Sequence, residues 1–351
     1  MPVVSHVVLR EFVYEIYRGA GGTEEDARIV SDHVVDSNLA GHDSHGVING
    51  PNYIGGMAGG PSADKMEIVR ESGAATVINV NGALGMVAAR KAMEMAVEKA
   101  KTCTIGAVGL HRCGHAGRMG EYPPIAARAG MIGIVLLNGG GRFMHPHGGT
   151  SRRLPPNPIA ISVPRANGEP LLLDMTLSVV AGGKFLVQSA RGEPIPEGWM
   201  IDSEGNPLTD PDAFRERGSD TAVMPLGGFQ FGHKGFGLGV MIDAIAGGLS
   251  WAGCSREQPT RGASGIVMFA IKIDDFIDLV DYEQEIEHLV EWVKSSAKMP
   301  GIDEIYVPGD FEQRSREKRL KEGIPIEDPT WNRLVEAAER YDVTIPTTLF
   351  Y

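Results

Sequence analysis

Ile159-Ala160-Ile161-Ser162-Val163, followed after a short interval by Leu171-Leu172-Leu173, is the stretch that decides how this chain folds, because Asn167-Gly168 lies between the two apolar runs. Asn-Gly supplies the positive φ angles that a tight hairpin turn requires. Hairpins join antiparallel strands, whereas parallel neighbours need a crossover of a dozen or more residues. Ser203-Glu204-Gly205-Asn206 marks another tight turn. The expectation is an α/β protein of α+β character, with a mostly antiparallel or mixed sheet and helices packed on it.

Working outward, residues 75–81 read as a strand, and Gly82 and Gly85 lead into a helix over about 86–101. Strand, glycines and helix invite a dinucleotide-fold reading. The full Gly-x-Gly-x-x-Gly is absent, however, and no acidic residue closes a second strand about twenty residues on, so turn glycines explain the segment better. Val8, Phe12 and Ile16 fall at helical spacing. Thr23 with Asp26 is a capping-box-like start to a second helix, which runs through Val30, Val34 and Leu39 to Gly41. Toward the C-terminus we expect a glycine-rich helix from about 235 to 249, a strand over 265–273 and a helix over about 283–298. A strand Glu304–Val307, a charged helix over about 311–322 and a last helix after Asp328-Pro329 complete the reading.

A chain of 351 residues can bury two cores. Its 46 glycines are nearly twice the usual share of about 7%, which suggests backbone that approaches a ligand closely. Net charge is −12, unfavourable for nucleic acid or an anionic membrane. Cys103, Cys113 and Cys254 form no paired framework, and no apolar run reaches the length of a membrane span. The N-terminus lacks the form of a signal peptide. Together these point to reduced thiols and a cytoplasmic protein.

The histidines cluster as His42 and His45, His111 and His115, His145 and His147, with His233 apart. Imidazole titrates near neutral pH and suits proton transfer. His45 stands beside Asp43 and Ser44, either of which can orient its ring, although a solvated loop histidine is an equal reading. His115 lies in Gly114-His115-Ala116-Gly117-Arg118-Met119-Gly120, where glycines either admit a ligand or serve a turn. His115, His145 and His147 raise a metal reading, which Pro146 and the absence of a carboxylate at ligand spacing weaken. Lys234, in Gly232-His233-Lys234-Gly235, stands where a helix is expected to begin, so a bound anion there would be favoured by lysine and helix dipole together. Leu172-Leu173-Asp174-Met175-Thr176-Leu177-Ser178 is an apolar strand ending in a polar cluster, and Arg118, Arg142, Arg152 and Arg153 are cations suited to carboxylate or phosphate.

These segments, taken in order, resemble the malate/L-lactate dehydrogenases of the second type. The matching stretches are Gly41-His42-Asp43-Ser44-His45-Gly46-Val47; His115 with Arg118 and Tyr122; Asn157-Pro158; Leu173-Asp174-Met175-Thr176 with Ser178; His233-Lys234-Gly235; and Val307-Pro308-Gly309-Asp310. The branch most similar is the hydroxycarboxylate dehydrogenase B-like enzymes. The resemblance implies a non-Rossmann NAD(P)-binding fold in which a central cofactor domain, residues 76–274, is flanked by a helical domain built from 1–75 and 275–351. It also implies a homodimer and the interconversion of a small 2-oxo acid and a 2-hydroxy acid.

Carried over by position, His45 or His115 is the proton carrier, with Ser44 beside them. Arg118, Asn49, Tyr53 and Asn157 face the substrate. Asn138, Asp174, Met175, Thr176, Ser178, His233, Lys234, Gly235, Gly309 and Asp310 contact NAD or NADP, with NAD favoured, and no metal is implied. Two departures stand out. Many members carry arginine where this chain has Asn49, and a Gly-Thr-Asn-Pro motif reads Pro155-Pro156-Asn157-Pro158 here. Arg118 is the candidate replacement clamp. A cyclic imine reductase of the same family, a histidine-based metal enzyme and a non-catalytic cofactor-binding protein are the alternatives.

Overall fold

A computed structural model describes residues 1–214, 220–257 and 264–347, so the last four residues of the expected helical domain, 348–351, lie outside the described residues. Seven strands form the main sheet: β1 Glu67–Glu71, β2 Ala75–Asn79, β3 Ile105–His111, β4 Met131–Asn138, β5 Ile159–Val163, β6 Leu171–Met175 and β7 Gly265–Lys272. Their spatial order is β1-β2-β3-β7-β4-β5-β6. The hairpin is where the sequence places it. β5 and β6 pair antiparallel from Ile159↔Met175 to Val163↔Leu171, and Gly168 takes φ 92° at the turn. Its shoulder is pinned from outside, because the Glu287 carboxylate accepts from both Arg165 Nε (2.8 Å) and Nη2 (2.6 Å) and from the Asn167 amide.

Among the described residues the one parallel pair in this sheet is β2–β3, joined by helix α3 (Gly85–Cys103). The strand–glycine–helix segment is thus a single βαβ unit. It does not grow into a doubly wound sheet because β7, from much later in the chain, enters between β3 and β4 and pairs antiparallel with both.

Among the described residues the longer helices around the site are α1 His6–Gly19, α2 Glu24–Leu39, α3 Gly85–Cys103, α4 Pro123–Ala127, α5 Gly183–Arg191, α6 Gly228–Ile242, α7 Leu279–Lys294, α8 Asp310–Glu322 and α9 Asp328–Arg340, and a short helical turn Gly50–Tyr53 carries Tyr53. Ser5 and Thr23 cap α1 and α2 through their hydroxyls, each accepting the amide three residues on. One apolar core joins α1 (Leu9, Phe12, Ile16), α2 (Val30, Val34), α9 (Leu334, Ala338) and the first turn of α3 (Met86, Val87). A second lies between the rest of α3 (Ala92, Met93, Ala96) and the sheet (Val108, Val135, Ile266, Met268). Helix α3 belongs to both, which fixes the helical layer against the sheet.

Two expectations need correction. The glycine-rich helix begins at Gly228, seven residues early, behind Gly227 in the left-handed region (φ 98°). Glycine there does not break the helix, because close packing requires it: a Cβ on Gly235 would stand 2.4 Å from the Leu226 carbonyl oxygen. Lys234 is consequently in the second turn of α6 and not at its mouth. Residues 304–307 form no strand. Just past it, the Pro308 carbonyl oxygen accepts the Leu172 amide at 3.2 Å at the β6 edge.

Contact between α3 and β3 depends on a missing side chain. A Cβ on Gly106 would lie 1.9 Å from the Ala96 carbonyl oxygen, a backbone atom that cannot yield. Gly106→Ala should therefore destabilise the fold by on the order of 3 kcal/mol, read as a lower midpoint in urea or heat unfolding, since overpacking typically costs 1–3 kcal/mol and a backbone clash falls at the upper end.

Candidate active site

The loop after α2 is held from two sides. Gly41 takes φ 84° and turns the chain, and the Asn38 side chain then spans the loop, donating to Asp43 Oδ1 (2.6 Å) and accepting the Val47 amide (2.9 Å). From α8, Arg319 forks onto the Asp43 carboxylate at 2.5 and 2.9 Å, and Glu312 meets His42 Nε2 at 3.1 Å. Asp43 is thus spent on holding the loop. It is Ser44, whose Oγ lies 3.2 Å from His45 Nδ1, that orients the imidazole. Asn49 Nδ2 donates to the Ser44 carbonyl oxygen at 2.5 Å, so the residue in the arginine position braces this same loop.

His115 comes from the turn after β3. Its ring stacks on His45 with centroids 5.8 Å apart and planes 10° from parallel. Tyr53 Oη sits 2.7 Å from His115 Nδ1. Both rings thus have Nδ1 engaged. Burial lowers the His45 pKa to about 4, with His115 the next cause, and burial also lowers that of His115, followed by the charge of His33. Both imidazoles are neutral at physiological pH. Burial pushes the Tyr53 phenol up to about 12, which keeps it protonated.

The turn that carries His115 rests on a side chain no motif flagged. His33, fully buried on α2, accepts the Arg118 amide at Nε2 (2.9 Å), and its Nδ1 is 2.8 Å from Glu121 Oε2. Because an amide donates to Nε2, the ring proton is on Nδ1, facing the carboxylate. A polar residue set among Val30, Val34 and Val35 on a buried helix face was the available signal.

Arg118 is 5% exposed, and its Nε and Nη1 have no hydrogen-bond partner. It lines a cavity of about 240 Å³ together with Leu172, Gly309 and Glu312. Asp174 Oδ2 accepts the Gly120 amide next to it (2.7 Å). Burial raises the Asp174 pKa, and the Arg118 charge opposes this. Met175, Thr176 and Ser178 line a second cleft, of about 680 Å³, with Lys184 and Arg191.

Other expected residues go elsewhere. Asn138 and Asn157 are buried donors to the Asp243 carboxylate, each at 3.2 Å, and Asn157 Nδ2 also reaches the Gly239 carbonyl oxygen, so they fasten the sheet to α6. His233 and Lys234 lie on the solvent side of α6, against His147 and Phe231 respectively, while Gly235 is buried. Asp310 caps the Val307 amide and pairs with Lys294 at 2.7 Å. The histidine metal centre does not form: His115 pairs with Tyr53, His145 meets the Pro146 carbonyl oxygen and Met224 Sδ, and His147 faces His233. Among the described residues no three metal-ligating side chains converge. No helix among them is long and apolar enough to cross a membrane.

A stacked imidazole pair with Ser44 and Tyr53 at its two Nδ1 atoms offers groups suited to proton transfer. Residues 4–335 match the model of the malate/L-lactate dehydrogenase family, and the chain belongs to that family. It is 37% identical over 344 residues to a malate dehydrogenase of Pyrococcus horikoshii, covering 95% of this chain and 94% of that one. It is 34% identical to hydroxycarboxylate dehydrogenase B of Escherichia coli, over 95% and 92%. The crystal structure of malate dehydrogenase from Entamoeba histolytica superposes with a TM-score of 0.91 at 29% identity, over 98% and 99%. The protein is a 2-hydroxy acid dehydrogenase.

Gly117 must stay bare for this site to form. It takes φ 69°, and a Cβ there would fall 1.9 Å from His33 Nε2. Gly117→Ala should lower kcat at least 100-fold by displacing the His115 turn. His33→Asn, which keeps a polar group of smaller size at that point, should cost less, and steady-state assays of the two variants check the order.

Proposed function

We propose that the chain interconverts a 2-oxo acid and a 2-hydroxy acid with NAD or NADP, and that the stacked His45–His115 pair carries this reading. The cofactor fits the residues present. Arg118 offers a buried guanidinium with two unpartnered nitrogens in a cavity whose wall includes Gly309, and Asp174 to Ser178 run from that cavity to the larger cleft. Gly309 would hold an anionic part of the cofactor, and Met175 with Thr176 the continuation, while Arg118 in the same cavity stays the candidate clamp for a substrate carboxylate. When bound, the nicotinamide supplies or accepts the hydride.

The chain's own part is proton transfer and orientation. His45 donates Nδ1–H to Ser44 Oγ, which leaves Nε2 basic toward the substrate hydroxyl. Tyr53 donates to His115 Nδ1, which puts the His115 proton on Nε2, where it polarises the same oxygen. In oxidation His45 takes the hydroxyl proton, and in reduction it returns it. Asn49 and the Asn38–Asp43–Arg319 bracing keep the loop in register.

Burial makes the pH dependence specific. A base with pKa about 4 is neutral at all higher pH, so kcat/KM for hydroxy acid oxidation should be flat from neutrality down to about pH 5 and fall tenfold per unit below about 4. Reduction needs the protonated ring and should slow as pH rises above that point. His45→Ala should cut kcat by roughly 10²–10⁴-fold without loss of fold. A spectrophotometric screen of NADH and NADPH against 2-oxo acids, repeated across pH, checks both. A protein that binds neither cofactor and turns over no 2-oxo acid contradicts the reading.

The domain division is proposed in altered form. α7 is fastened to the β5–β6 hairpin through Glu287, so we place the return to the helical lobe after α7 and not at 275. We also propose a homodimer. Phe229, Phe231, Met241, Leu249 and Trp251 stand out along α6 and just beyond it, and Val280, Leu289 and Trp292 along α7, all more than half exposed. Patches of this kind are what an obligate interface covers. Sedimentation should give twice the chain mass of 37.6 kDa, and Phe231→Glu with Trp292→Glu should shift it to the monomer. Three free thiols accord with a cytoplasmic setting.

A further inference from the structure

Arg118 is a buried guanidinium that stands among acids and pairs with none of them. Its Nε and Nη1 have no hydrogen-bond partner, and it makes no ion pair among the described residues. Carboxylates nevertheless feel its charge. At Asp174 burial raises the pKa and Arg118 is the first charge to oppose it. At Glu121 and Glu312 burial is outweighed, by His33 and by His42 respectively and then by Arg118, and both pKa values fall. Each of these acids is engaged by another group. Asp174 Oδ2 accepts the Gly120 amide at 2.7 Å, Glu121 Oε2 lies 2.8 Å from His33 Nδ1, and Glu312 Oε1 lies 3.1 Å from His42 Nε2. Glu121 and Glu312 line the same cavity as Arg118. Glu121 also ends the helical turn Met119–Glu121 that Arg118 precedes, and residues three apart in such a turn share a face. A buried unpaired charge is costly, so a carboxylate released from its histidine would have the guanidinium to turn to.

We propose that His33 keeps the Arg118 clamp open by holding Glu121 away from it, and that His42 does the same to Glu312, so that the guanidinium is left for the substrate carboxylate. This rests on the function proposed above, which gives Arg118 that carboxylate. Both histidines are positioning residues, since they act through the acids they hold. The His33 ring suits the task. Its Nε2 accepts the Arg118 amide, so its proton is on Nδ1 and is donated to Glu121. One side chain thus fixes the backbone of the clamp and restrains the clamp's nearest competitor in sequence. A carboxylate that arrives at Arg118 displaces no existing pair, and the whole charge-assisted contact counts toward affinity. With Glu121 released onto Arg118, the substrate would have to break that pair first.

The test is a double-mutant cycle at His33 and Glu121. It is read as calorimetric binding of oxamate, a 2-oxo acid analogue that is not reduced, with and without NADH, beside steady-state kinetics on pyruvate and oxaloacetate. His33→Leu should weaken oxamate binding and raise KM by about tenfold or more, with kcat changed less, since a charged pair now competes. Glu121→Gln alone should cost less than about threefold, because an amide oxygen still accepts from Nδ1. The combination His33→Leu/Glu121→Gln should bind oxamate about fivefold or more tighter than His33→Leu, a coupling that independent sites do not show. Both of these variants lack the acceptor for the Arg118 amide, so the recovery reads the released carboxylate and not the turn. His33→Gln, which offers an acceptor and a donor at the same place, should stay close to the wild type. A double variant as weak as His33→Leu, or weaker, overturns the proposal. A wild type that binds no oxamate overturns it too, as does a series that moves NADH affinity and leaves oxamate binding alone. If His33→Leu does not fold, His42→Ala and His42→Ala/Glu312→Gln make the same comparison on the other side of the cavity, and the same recovery is required. Oxamate binding that is lost and then recovered supports the open clamp even where no oxo acid is reduced. Turnover without that recovery contradicts the clamp and leaves the proposed reaction standing.

Discussion

Helix α3 belongs to two cores at once, and the site exists because of it. Its first turn, with Met86 and Val87, is packed among α1, α2 and α9, and the remainder lies on the sheet through Ala92, Met93 and Ala96. Each layer brings one imidazole to the seam, His45 from the loop after α2 and His115 from the turn after β3. Two rings on separate layers can stack within 10° of parallel only where the layers cannot slide. Small residues secure that. Alanines on α3 and Gly106 on β3 bring helix and strand backbones together, and interiors packed this densely transmit displacement instead of absorbing it.

Burial at this seam sets the chemistry. An isolated loop histidine titrates near 6.5 and is half charged near neutrality. At the seam burial lowers both, with His115 the next cause at His45 and His33 the next cause at His115, and both fall below that value. The outcome is a stronger acid once protonated and a weaker acceptor otherwise, with Ser44 Oγ and Tyr53 Oη each facing an Nδ1. Asp43 does not touch the imidazole. By pairing with Arg319 it ties the loop to a helix from the far end of the chain, which gives the C-terminal segment a direct part in holding the His45 loop.

Local patterns were legible and close packing was not. Asn167-Gly168 announced the hairpin because its conformational demand is intrinsic to the residues, and Thr23 announced its helix for the same reason. Gly227 to Gly239 misled, since glycine's low helix propensity was outweighed by tight contacts to Leu226 and Pro225 that no single sequence displays. The Ile305-Tyr306-Val307 run has strand propensity but meets the sheet edge at one bond. Within the candidate site, sequence reading singled out His45, Ser44 and His115 and took Tyr53 from the resemblance, and these four side chains lie together. Spacing could not separate Asp43 from Ser44 as the group that orients the ring, nor show that Asn138 and Asn157 serve Asp243. His33 passed unnoticed because its partners, Arg118 and Glu121, are tens of residues distant.

The central claim is that His45 is a neutral imidazole whose proton affinity is lowered first by burial and then by its stacked partner. Nitrogen-15 NMR of histidine-labelled protein, followed from pH 8 to pH 4, measures this directly. The account requires His45 to keep the neutral ring signature with Nδ1 protonated through pH 6, and to begin titrating only near pH 4. A transition at or above pH 6.5, or a ring that is indifferent to the replacement of His115, contradicts it.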